Sequence, residues 1–177
     1  GDTGSGKLQR YYDLVERLLD RGVPVDGVGH QFHVSLNTST ANLAAALNKF
    51  ADLDVLQAVT EFDVTTGYPQ TESLTIRQGQ YYKTAFSIFN DFAETTDDLF
   101  SVTVWGLNDA GSWLYYSGAP LMFDNFFQPK WSLIGALGGT VPDVPKSMNV
   151  FGGSVDLTTD ATGDVEWKKL PLQSIGD

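Results

Sequence analysis

Apolar extended runs alternate with segments of helical period along most of this chain, and that alternation limits its fold more than any other feature. From about Lys7 to Arg21, Leu8, Tyr11, Tyr12, Val15, Leu18 and Leu19 recur at spacings of three and four. That is the period of one buried helical face, and Gly22 ends the run. Val23 to Val34 reads as extended, and Ala41 to Phe50, rich in alanine and leucine, as helix. A strand at Val55 to Val64, a helix from about Thr71 to Phe92, a strand at Leu99 to Leu107 and a short helix beginning near Pro129 continue the pattern. Strands joined by helices at this spacing are βα units, which build parallel sheets with right-handed connections. Such a sheet needs cover on both faces, and three strands are too few to close an eight-stranded barrel of about 250 residues. The expected fold class is therefore α/β, with this chain contributing part of a larger domain.

The pattern changes after Leu137. Residues 138–149, with glycines and prolines concentrated between Gly138 and Lys146, read as a linker. Residues 150–177 carry two apolar runs without helical period, Val150 to Leu157 and Val165 to Leu172, separated by a turn-like stretch, as at the start of a β-rich module. Eleven basic against twenty-two acidic residues leave a formal charge of −11, which repels nucleic acid and anionic membranes but not a neutral polymer. With no cysteine, disulfides, thiolate catalysis and cysteine-ligated zinc are excluded. No apolar run approaches the roughly 20 residues that span a bilayer.

The acids of chemical interest lie at the end of the second extended run, Val59-Thr60-Glu61-Phe62-Asp63-Val64. Alternation along a strand puts Glu61 and Asp63 on one face and Phe62 and Val64 on the other. At the C-terminal end of a parallel strand that acidic face opens into the mouth of the sheet. In the preceding run, Gln31 and His33 share one face, and His30 and Phe32 share the other. If His33 and Glu61 are neighbours across adjacent strands, the imidazole can donate to one carboxylate while Asp63 accepts from its other nitrogen. His30 reads as structural; the two histidines face opposite ways and have no third ligand nearby, so no metal site is expected.

Gly29-His30-Gln31-Phe32-His33 and Thr60-Glu61-Phe62-Asp63-Val64 resemble the motifs of barrel strands six and seven in family 10 glycoside hydrolases, the retaining endo-xylanases. Val104 to Trp113 is similar to the family's strand-eight segment, and Pro120 to Asp124 with Gln128-Pro129-Lys130 is similar to its last loop and helix. The resemblance covers residues 1–137 and implies strands six to eight of a (β/α)8 barrel. It implies cleavage of β-1,4-xylosidic bonds in xylan or xylo-oligosaccharides with retention of configuration and no cofactor. By residue, it implies Glu61 as nucleophile, His33 and Asp63 as its orienting partners, Gln31 as a contact to sugar or nucleophile, and Trp105 and Trp113 as platforms for xylose rings. Phe62, Leu114 and Trp131 depart from the family pattern, and Trp131 reads as ordinary core. Secretion is expected from the family alone. The tail from about Val150, including Asp164 to Pro171, resembles the opening of a family 9 carbohydrate-binding module.

A retaining glycosidase needs a second carboxyl group about 5–5.5 Å from the nucleophile. The resemblance implies a glutamate of strand four, which has no counterpart here, so the acid/base and the N-terminal part of the barrel are expected outside this chain. A non-catalytic xylan-binding or complementing half-barrel fragment is the alternative. Gly1-Asp2-Thr3-Gly4-Ser5-Gly6-Lys7 has the spacing of a phosphate-binding loop, but Leu8 stands where a magnesium-binding hydroxyl is required and no strand precedes it. A nucleotide-binding fragment is the remote alternative.

Overall fold

The structure, a computed structural model, describes residues 6–145. The expected β-rich module at 150–177, the last residues of the expected linker, and most of the glycine-rich start lie outside the described residues.

Among the described residues, four α-helices and four strands follow the expected alternation. Helix α1 (Lys7–Asp20) leads to the short strands β1 (Gly27–His30) and β2 (His33–Ser35). Helix α2 (Ala41–Phe50), strand β3 (Leu56–Thr65), helix α3 (Glu72–Thr96), strand β4 (Leu99–Val104) and helix α4 (Trp131–Ala136) follow. All strand pairs are parallel, with β3 pairing β1, β2 and β4. Helix α2 buries Leu43, Ala46, Leu47 and Phe50, one stripe at helical spacing. Helix α3 begins where the Thr71 hydroxyl accepts from the Leu74 N–H at 3.2 Å, and it ends at Asp97 in the left-handed region, φ 59°.

Three departures from the regular expectation matter for the site. The run from Val23 to Val34 is not one strand: it breaks at Gln31-Phe32, where buried Phe32 adopts φ 54°. The strand expected to reach Leu107 ends at Val104.

The third departure is a bulge in β3. His30 pairs with Val59 and His33 with Asp63, so three residues of β3 stand opposite two. On the other edge Val59 pairs with Val102 and Phe62 with Val104, again leaving β3 one residue longer. The extra residue inverts the parity of the strand. Before it, the odd positions Gln57 and Val59 are buried towards the helices; beyond it, the even positions Phe62 and Val64 are. Glu61, which shares odd numbering with Val59, therefore emerges on the opposite face of the sheet from it.

The core lies between the sheet and the helices. Phe62 meets Tyr82, Phe86 and Phe89 of α3 at ring separations of 5.1, 6.1 and 5.4 Å. Phe32 stacks on Phe89, and His30 stacks on Phe32. Each such pair adds about 0.5–1.5 kcal/mol beyond area burial. Helices α3 and α4 cross at Gly79 and Gly135: a Cβ on Gly79 would lie 2.6 Å from Cβ of Trp131. Trp131, expected in the core, is 36% exposed: its Cβ and backbone face Gly79 of α3 at this crossing, and the residue borders a cavity with Tyr68, Pro129 and Ile134.

Candidate active site

His33 sits at the start of β2, directly opposite Asp63 near the C-terminal end of β3. Its Nε2 lies 3.0 Å from Oε2 of Glu61, and its Nδ1 lies 3.0 Å from both carboxylate oxygens of Asp63. One imidazole thus bridges two carboxyl groups. A neutral ring donates through only one nitrogen, so the tautomer sets which of the two contacts the imidazole donates.

The two carboxyl groups differ in environment. Asp63 is fully buried, whereas the side chain of Glu61 is 23% exposed. Burial raises the pKa of Asp63, while the His33 and Trp113 hydrogen bonds, then the charge of His33, pull it back; the nearby Glu61 adds a small rise. Glu61 is the acid that a ligand in the mouth of the sheet can reach.

Trp113 completes the group. Its indole N–H donates to Oδ2 of Asp63 at 3.0 Å, and its ring packs edge-on to His33 at 4.8 Å. The sequence marked Trp113 only as a flat apolar surface; nothing in its spacing announces the polar contact. The exposed indole of Trp113 leaves a face open beside the cluster, and Trp105 is also exposed, at the end of β4, where its backbone N–H donates to the Phe62 carbonyl at 3.0 Å. Gln31 is exposed and lines the same cavity as His33, of about 890 Å³, which Tyr11, Asn37 and Asn42 also wall. The structure therefore gathers His33, Glu61, Asp63 and Trp113 into direct contact. Gln31 and Trp105 stand on the neighbouring strand ends.

His30 occupies a different environment from His33, behind the sheet. Its Nε2 lies 2.9 Å from Oε1 of Gln57, whose amide N–H donates to the Leu47 carbonyl at 3.2 Å. The amide orientation makes His30 Nε2 the donor. Burial lowers the His30 pKa, partly opposed by the Gln57 hydrogen bond. Among the described residues no group of three or more histidine and acidic side chains has the arrangement to hold a metal ion.

A carboxylate held by an imidazole that is itself held by a buried carboxylate is an arrangement suited to a fixed, ionised oxygen nucleophile or to a positioned base.

Comparison with known proteins bears on the choice. Residues 2–137 match the model of glycosyl hydrolase family 10. The chain is 32% identical over 165 residues to endo-1,4-beta-xylanase A of Thermoanaerobacterium saccharolyticum, covering 92% of this chain and 14% of that protein. Among solved structures, the intracellular xylanase TsXylA of the same organism superposes with a TM-score of 0.68 at 35% identity, over 73% of this chain and 39% of that one. Xylanase 10C of Cellvibrio japonicus does so with a TM-score of 0.70 at 30% identity, over 76% and 33%. The chain thus spans well under half the length of each of these relatives.

Proposed function

The chain belongs to glycosyl hydrolase family 10, and on that premise we propose that it supplies the nucleophile side of a xylanase active site, with β1/β2, β3 and β4 as strands six, seven and eight of a (β/α)8 barrel. The observation that carries the reading is the His33 bridge between Glu61 and Asp63 at the C-terminal end of β3.

Oε2 of Glu61 is engaged by His33, which leaves Oε1 as the attacking atom. Oε1 bonds to the anomeric carbon of the xylose unit as the bond from that carbon to the leaving sugar's oxygen breaks. A proton reaches the leaving oxygen from an acid on the part of the barrel outside this chain. The same outside group, now deprotonated, takes a proton from a water that attacks the anomeric carbon from the face opposite the ester; the bond to Glu61 breaks, the carboxylate is released and configuration is retained overall. His33 holds the carboxylate in place and stabilises its charge when the ester is cleaved. Gln31 contacts the sugar or the nucleophile, and Trp105 and Trp113 offer flat faces to the C–H faces of the xylose rings. The enzyme acts outside the cell, where polymeric xylan is met; since one matching xylanase is intracellular, activity confined to the cytoplasm on cell fractionation overturns this part.

The test uses the full-length enzyme. A xylobioside carrying fluorine at C2 and a good leaving group should accumulate as an ester, and peptide mass mapping should locate the added mass on Glu61. Label on any other carboxyl group overturns the assignment. Glu61→Gln should abolish xylan turnover while leaving the circular dichroism spectrum unchanged.

A further inference from the structure

Away from the Glu61 cluster, Lys130 and Asp109 form a second buried ion pair, with Nζ donating to Oδ2 at 2.8 Å and side chains only 9% and 6% exposed. Neither touches the nucleophile or takes part in the steps above. Taking two charges out of water costs several kcal/mol per ion, and an apolar pair of similar volume is often as stable. What an apolar pair lacks is direction, and here direction is used fully.

Lys130 Nζ also donates to the Ala119 carbonyl at 2.9 Å, and Oδ1 of Asp109 accepts the Leu121 N–H at 2.8 Å. The pair therefore ties together the turn after β4, the returning segment Ala119 to Leu121, and the approach to α4. Trp113 stands four residues beyond Asp109, along a run of closed turns. The Asn108 side chain accepts the Gly111 N–H at 3.2 Å, the Asp109 carbonyl accepts the Ser112 N–H at 3.1 Å, and the Ser112 hydroxyl accepts the Leu114 N–H at 3.1 Å. Trp113 itself is 61% exposed, so close packing cannot hold the indole in place. Its position depends on this backbone anchor together with its contacts to Asp63 and His33.

We propose that Asp109 and Lys130 are positioning residues for the Glu61 nucleophile: they anchor the loop that holds the Trp113 indole N–H on Asp63, and through Asp63 they set the His33 bridge. The inference rests on the assignment of Glu61 above. It places a determinant of catalysis on the last βα loop, in two buried side chains that do not touch Glu61.

The experiment measures kcat, KM and the pH dependence of kcat/KM for the full-length enzyme on a xylo-oligosaccharide, in Lys130→Met, Lys130→Arg, Asp109→Asn, Trp113→Phe and the Lys130→Met/Trp113→Phe pair. Misplacement of reacting groups by a fraction of an ångström to 1 Å is felt mainly in turnover, so Lys130→Met and Asp109→Asn should lower kcat by about 10- to 100-fold with KM changed by less than about threefold. Both should move the acid limb of the profile in the same direction as Trp113→Phe. Lys130→Arg should recover part of kcat, and adding Trp113→Phe to Lys130→Met should cost little more. Wild-type kcat and pH limb in Asp109→Asn, or losses that multiply in the pair, would overturn the proposal. If Lys130→Met does not fold, Asp109→Asn, which keeps the oxygen that accepts from Leu121, carries the test. Glu61→Gln, run in parallel, separates the two claims. Turnover by that variant defeats the nucleophile assignment, whereas an inactive Glu61→Gln beside fully active Asp109 and Lys130 variants defeats only this inference.

Discussion

Trp113 donates its indole N–H to Oδ2 of Asp63 across 50 positions of sequence, and the same indole packs its ring on His33. A side chain that would be counted as a hydrophobic platform is thus also a polar member of the cluster around Glu61. Its contact lowers the proton affinity of Asp63, which burial raises.

Replacing Trp113 by Phe removes that donor while keeping an aromatic ring. A hydrogen bond to a charged group contributes about 1.5–3 kcal/mol, so kcat/KM should fall by about 10- to 100-fold. With burial unchanged and one lowering contact gone, the pKa of Asp63 rises further, and the acid limb of the pH profile should move to higher pH. An acid limb in its original position would mean that Asp63 does not govern it.

His33→Ala leaves Asp63 buried without its imidazole and Glu61 without its tether. Turnover should drop by about 100-fold or more, and the melting temperature should fall as well, since a buried acid that loses a partner costs about 1–3 kcal/mol. An unchanged rate would remove His33 from the mechanism.

His30 gives the stability of the fold a pH dependence of its own. Burial sets its folded pKa below the ordinary value of 6.5, so over a window beneath 6.5 the unfolded chain binds a proton that the native state refuses. Native stability therefore rises with pH across that window and is lost on acidification. In the full-length enzyme, urea midpoints at pH 5 and pH 7.5 should differ less in His30→Phe than in the parent. At pH 7.5 the variant should be weaker by about 1–3 kcal/mol, because Oε1 of Gln57 loses its donor in a buried site. An equal pH slope in both proteins would assign the acid sensitivity to another group.

Gly79→Ala sets helix propensity against packing. Alanine favours the helical backbone over glycine by about 1 kcal/mol. Its Cβ would however lie 2.6 Å from Cβ and 2.8 Å from the carbonyl oxygen of Trp131, and Gly135 stands at the same crossing. Separating α3 and α4 enough to relieve that overlap costs about 1–3 kcal/mol or more, so packing wins and the melting temperature should fall. A stabilised variant would show that α4 can shift freely.

Much of the architecture was legible before the structure. The run at Lys7 is α1 and the alanine- and leucine-rich run is α2. The strand expected at Val55 to Val64 is β3 within a residue at each end, and the helix expected to end at Phe92 continues to Thr96. These elements announce themselves because their buried stripes have a fixed local period. The break at Phe32 and the bulge at Thr60 to Phe62 were not legible. A period-two reading assumes a regular strand, and whether a strand holds an extra residue depends on its neighbours' register. Here both neighbours, β1/β2 and β4, carry one residue fewer.

By itself the sequence determined which residues could do chemistry and, where the chain stays extended, which faces they share locally: Glu61 with Asp63, and Phe62 with Val64. Those relations follow from the covalent geometry of an extended chain, where neighbouring side chains alternate faces whatever lies beyond. Only the tertiary structure decided that His33 touches both acids, that Trp113 reaches Asp63, and that Lys130 closes on Asp109. Each of those contacts joins segments far apart in sequence, and a hydrogen bond needs its atoms within about 3 Å. No local period carries that precision; it is set by the register of the sheet, the extra residue in β3 and the path by which the last loop returns.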